Sequence, residues 1–84
     1  MTIYKSKSGQ TSLKINDEIT SMYASCYRLD SGLWHHVGNT EPVDPSMKAE
    51  ELERVFNEMV EVLDKQEFDL SKSMSEFSEE ELSR

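Results

Sequence analysis

Pro42 and Pro45 stand three residues apart in "NTEPVDPSM", Asn39 to Met47. No sheet interior or helix interior holds such a pair, because each proline fixes φ and removes a backbone donor. The stretch therefore divides the 84-residue chain into two halves of different character. A chain of this length buries only about 60–65 % of the surface its unfolded form exposes, so the halves must share one thin core. A single domain over 1–84 is expected. It would hold a β-rich half over 1–40, a proline-containing linker over 41–46, a helix over 47–66 and an acidic tail or short helix over 67–84.

The first half has strand chemistry. "TIYKSKS" and "SLKIN" flank Gly9-Gln10, and Leu13 and Ile15 alternate with polar residues. That is the pattern of a hairpin. "ITSMYASCYRL" and "GLWHHVG" flank Asp30-Ser31-Gly32. Asp and Ser suit a type I turn and Gly the left-handed residue after it, which together make a three-residue hairpin loop. In that register Leu29 faces Leu33, Arg28 faces Trp34, and Cys26 faces His36. A small antiparallel meander of about three to four strands over residues 2–37 results. Residues 19–29 also admit a helix, since Ile19, Met22, Tyr23, Cys26 and Tyr27 fall at helical spacing. Tyr, Ile and Thr favour the strand.

The second half is helical. Asp44 suits an N-cap, and Pro45 suits the first helical position, where its missing N–H costs nothing. One long amphipathic helix is expected over about 45–66. Its buried stripe is Leu52, Val55, Phe56, Met59, Val62 and Leu63, spaced at three and four residues. Glu50–Arg54, Arg54–Glu58 and Glu61–Lys65 have the i,i+4 spacing of weak surface ion pairs. Beyond it, Leu70, Met74 and Phe77 keep helical spacing, and Ser78 with Glu81 has the form of a capping box. A short or frayed C-terminal helix is expected there. The fold class is α+β: a meander packed by one long helix.

Charge separates the halves further. Residues 1–40 carry a net +1 and residues 41–84 a net −9, which gives the chain −8. Such a surface repels phosphate, so direct nucleic-acid binding is not expected and basic proteins are the natural partners. The first ten residues show no apolar signal-peptide core. Apolar runs are too short for a membrane span. The lone Cys26 excludes an internal disulfide framework. A cytoplasmic protein with no membrane contact is expected.

Cys26, His35 and His36 are the residues that would invite an enzyme reading. A Cys26–His36 pair could ionise to thiolate and imidazolium. No orienting third group or oxyanion donor accompanies it, and one Cys with two adjacent His falls short of a zinc site. No catalytic residue, metal or cofactor is expected, and the protein is read as a non-enzyme.

Two surfaces remain. Glu50, Glu53, Glu58, Glu61 and Asp64 line the outer side of the helix over roughly 21 Å, at ~1.5 Å per residue. A rigid row of carboxylates at that spacing can occupy a Lys/Arg groove that otherwise holds a phosphate backbone. Trp34 and Tyr27 either enter the core or form apolar interface anchors on the free sheet face. The expected function is a small acidic binding protein, an inhibitor or modulator that occupies a basic site of a nucleic-acid-handling protein. Phage or mobile-element counter-defence is one setting for such a nucleic-acid mimic. The alternatives are a self-associating module, built as a homodimer, and a small thiol enzyme using Cys26.

Overall fold

A computed structural model describes residues 3–17, 22–44, 46–73 and 75–83. Its class is α+β. Four strands precede the prolines: β1 (Ile3–Lys5), β2 (Thr11–Asp17), β3 (Met22–Asp30) and β4 (Leu33–Asn39). A helix, α1 (Ala49–Asp64), a short 3-10 turn (Leu70–Lys72), β5 (Glu76–Phe77) and a one-turn helix, α2 (Glu79–Leu82), follow. The strands form one antiparallel sheet in the order β1-β2-β3-β4-β5. Between the strand and helix readings of residues 19–29, the strand holds from Met22 onward; Ile19 lies outside the described residues.

The β3–β4 hairpin turns more tightly than expected. Asp30 pairs with Leu33, so the loop is the two residues Ser31 and Gly32. Both have positive φ, 53° and 80°. This is the primed turn whose twist matches that of the flanking strands. The consequence is a different register: Leu29 pairs with Trp34, Arg28 with His35, and Tyr27 with His36. A register shift between Cys26 and Tyr27 then sets Cys26 opposite Gly38. The expected Cys26–His36 and Arg28–Trp34 pairs are therefore not formed.

The helix also begins later than expected. Asp44 does not cap it; its carboxylate accepts from the Ser46 N–H at 2.9 Å and the Ser46 hydroxyl at 2.8 Å. This local Asx turn competes with helix capping. Lys48 stands at the N-cap instead, without a side-chain cap bond. Pro45 lies outside the described residues.

At its other end α1 has no basic residue in the last turn. Arg28 of β3 supplies the missing donor. Its Nη2 donates to the Leu63 and Gln66 carbonyls, both at 2.9 Å. The Leu63 carbonyl also accepts from the Gln66 N–H at 3.1 Å, and the guanidinium complements the negative end of the helix dipole.

The sheet has a core on each face. On the first, Leu13, Ala24 and Cys26 meet Phe56 and Val60 of α1. Tyr4 stacks on Phe56 with ring centroids 5.7 Å apart. The helix lies over β1 and β2, and its stripe is rolled relative to expectation. Val60 is buried, whereas Val62 is 59 % exposed. On the second face, Tyr27, Trp34 and Leu82 form a separate buried cluster flanked by Ile3, Leu29 and Phe77. The chain leaves α1, rounds the β4 edge, adds β5 and places α2 against this face.

The tail thus forms the short helix expected there and adds a strand, β5, before it. Ser78 and Glu81 complete their capping box. Met74 is outside the described residues.

Candidate functional site

The acidic side of α1 is not uniform. Its C-terminal part is bonded to the β1–β2 turn. Asp64 Oδ1 accepts from the Thr11 hydroxyl at 2.6 Å and the Ser6 hydroxyl at 3.0 Å. Its Oδ2 accepts from the Ser8 hydroxyl at 2.9 Å. Glu61 accepts from the Lys7 backbone N–H at 3.0 Å. These bonds tie the loop of the first hairpin to the last turn of the helix. Two of the expected binding residues, Glu61 and Asp64, are thus bonded within the fold. The reason lies in the roll of α1, which turns its 61/64 side down onto Ser6–Thr11.

The carboxyl of Asp64 is held below its ordinary value, first by the Thr11 hydroxyl, then by Ser8 and Ser6, with Arg28 adding to the effect. Glu79 is lowered in the same direction by Lys5 and by the Trp34 indole N–H. Groups lowered on folding stabilise the native state above their unfolded values, about 3.9 for Asp and 4.3 for Glu. Their contribution is complete above about pH 5 and is lost as pH falls through the lowered native values. Asp64→Ala should cost about 1–3 kcal/mol at neutral pH, because it leaves the buried Thr11 hydroxyl without its acceptor. The cost should shrink in acid. Urea unfolding of both proteins at pH 7 and pH 3 measures this; an equal cost at both values contradicts the assignment.

Glu50, Glu53 and Glu58 remain at the surface and are exposed. Ion pairs among the described residues include Lys5–Glu79 at 2.5 Å, and the His35 ring Nδ1 stands 3.7 Å from the Glu76 carboxylate. The expected i,i+4 pairs along α1 are not among them. The open row from Glu50 to Glu58 covers eight steps of ~1.5 Å, roughly 12 Å.

Trp34 and Tyr27 are not surface anchors. Trp34 is 1 % exposed and Tyr27 is 7 % exposed. The Trp34 indole donates to the Glu79 carboxylate, and Lys5 Nζ sits 5.6 Å from its ring centroid. Tyr27 meets His36 at 5.1 Å and the edge of Phe77 at 5.6 Å. The face they occupy is the one away from α1, as the interface reading required, but the tail covers it. Arg28 makes its ring contact with Phe68, at 5.0 Å.

Cys26 is buried on the α1 face, and burial pushes its thiol up to about 11. His36 lies on the opposite face against Tyr27. The thiolate–imidazolium pair that a thiol enzyme would need is not assembled. Among the described residues no three His, Cys, Asp or Glu side chains converge as a metal-holding set. Among them, too, no helix is long and apolar enough to cross a membrane.

A feature that the residue pattern did not signal lies beside α1. The helix sits over β1 and β2, and the chain after β4 runs along its other flank. Between them is a groove of about 610 Å³. Val55, Met59, Val62 and Leu63 line the helix side, and Asn39, Thr40 and Glu41 form the opposite wall. Expecting Val62 in the core hid the groove: the same residue, rolled outward, becomes its lip. Comparison with protein families, characterised proteins and solved structures finds no match.

Proposed function

We propose that this is a small acidic binding protein that acts without catalysis, occupying a basic site on a nucleic-acid-handling protein in the cytoplasm and so inhibiting or modulating it. The observation that carries this reading is the set of exposed carboxylates Glu50, Glu53 and Glu58 on one rigid helix, outside the ion pairs of the described residues. The chain around them has a net charge of −8. A fixed negative row steers a basic partner and competes with phosphate for the same Lys/Arg side chains. The row is shorter than expected, since Glu61 and Asp64 are engaged within the fold. It matches a few nucleotides at a rise of ~3.4 Å per strand.

The test is a pull-down from host lysate with wild type and with Glu50, Glu53 and Glu58 changed to Gln. These surface positions contribute little to stability, so the variant should fold normally. A nucleic-acid-handling protein should be retained by wild type, released by moderate salt and displaced by added DNA or RNA. The variant should bind it more than about tenfold more weakly, or ~1.4 kcal/mol. Equal retention by both forms, unaffected by nucleic acid, would reject the proposal.

A further inference from the structure

Most of the helix stripe is committed to the sheet, but one flank of it is not. Val62 is 59 % exposed, and with Val55, Met59 and Leu63 it lines the groove beside Asn39–Glu41. The opposite wall is built, not draped. The Thr40 N–H donates to the Ala24 carbonyl at 2.8 Å, and the Ala24 N–H donates to the Thr40 hydroxyl at 2.9 Å. The groove is thus an apolar floor between two fixed walls, and each wall carries a carboxylate, Glu58 on the helix and Glu41 opposite. We infer that this groove receives an apolar side chain from a basic amphipathic segment of the partner, with Lys or Arg on either side of that anchor meeting Glu41 and Glu58.

Charge decides the occupant. A second copy of this chain would bring another −8 to a rim that is already acidic. A segment with cations flanking an apolar residue satisfies floor and rim together. The helix-in-groove mode of peptide recognition uses such spaced apolar anchors. Met59 suits the task, since an unbranched thioether adapts its shape to the side chain it meets. The inference rests on the proposed binding of a basic partner and adds where its apolar contact is made.

The experiment uses two synthetic peptides of equal length and charge, one of Leu and Lys with Leu at helical i, i+3, i+4, i+7 spacing and one with Gly in place of each Leu, titrated into the full chain at low salt. The side-chain methyl resonances of Val55, Met59, Val62 and Leu63 are followed by NMR. The Leu/Lys peptide should shift those methyls, and Val62→Gln should weaken it about five- to tenfold while leaving the Lys/Gly peptide unchanged. Val62 is exposed, so the variant should keep its fold, which circular dichroism checks.

If both peptides bind equally and leave the groove methyls unmoved, the groove inference fails while the acidic-surface reading stands. If neither binds, both fail. Methyl shifts that depend on protein concentration without peptide would identify a second copy as the occupant and overturn the inference.

Discussion

Phe56→Ala should lower the stability of this protein by about 3–5 kcal/mol, the range for removing a large aromatic from a core. Phe56 is 1 % exposed. It stacks on Tyr4 and belongs to the cluster that joins α1 to Leu13, Ala24 and Cys26. Small domains hold only about 5–15 kcal/mol in total, so this single change should leave little margin. The comparison that makes the result specific is Val62→Ala. The same hydrophobic periodicity marks both residues, but Val62 lies outside the core and should cost well under ~1 kcal/mol. Urea unfolding followed by circular dichroism measures both. Similar costs at the two positions would contradict the roll of the helix and, with it, the groove.

Leu82→Ala should cost about 2–5 kcal/mol, although Leu82 ends a helix of four residues. A one-turn helix has no stability of its own. What holds α2 is Leu82, 1 % exposed in the cluster with Tyr27 and Trp34, together with the capping box at Ser78 and the Glu79 contacts to Lys5 and Trp34. Trp34 is the sole tryptophan of the chain. Its emission therefore reports on that face alone. Loss of Leu82 should shift the emission to longer wavelength and lower the urea midpoint together. An unchanged spectrum and midpoint would mean that α2 does not cover the sheet.

The sequence conveyed the division at the prolines, the meander and the long helix, because those depend on local signals: alternation, turn residues and a 3.6-residue stripe. It conveyed less where two elements choose between each other. Ser31 takes a positive φ, which a serine seldom does, and this converts the expected three-residue loop into a two-residue one. Every cross-strand pair of that hairpin changes with it. The roll of α1 is a tertiary choice, made where Asp64 meets Ser6, Ser8 and Thr11. No helical wheel contains those partners.

The same is true of the tail. "SEFSEEELSR" has a capping box but too few apolar residues to announce a strand and a helix. Its order comes from the Tyr27–Trp34 face, which needs a cover. At the site, Glu50, Glu53 and Glu58 keep the exposure their spacing implied. Glu61, Asp64, Trp34 and Tyr27 all proved to have partners within the chain.

The sheet order has a consequence for how the chain assembles. The pairings β1–β2, β2–β3 and β3–β4 each join strands that are close in sequence. Those contacts close short loops and cost little chain entropy. The β4–β5 pairing, Trp34 with Phe77, joins residues about half the chain length apart. During synthesis, Tyr27 and Trp34 therefore emerge long before Leu82 exists to cover them. The α2 turn therefore acts as a latch on that face. Until it has emerged, the Tyr27–Trp34 face of the nascent protein stays open.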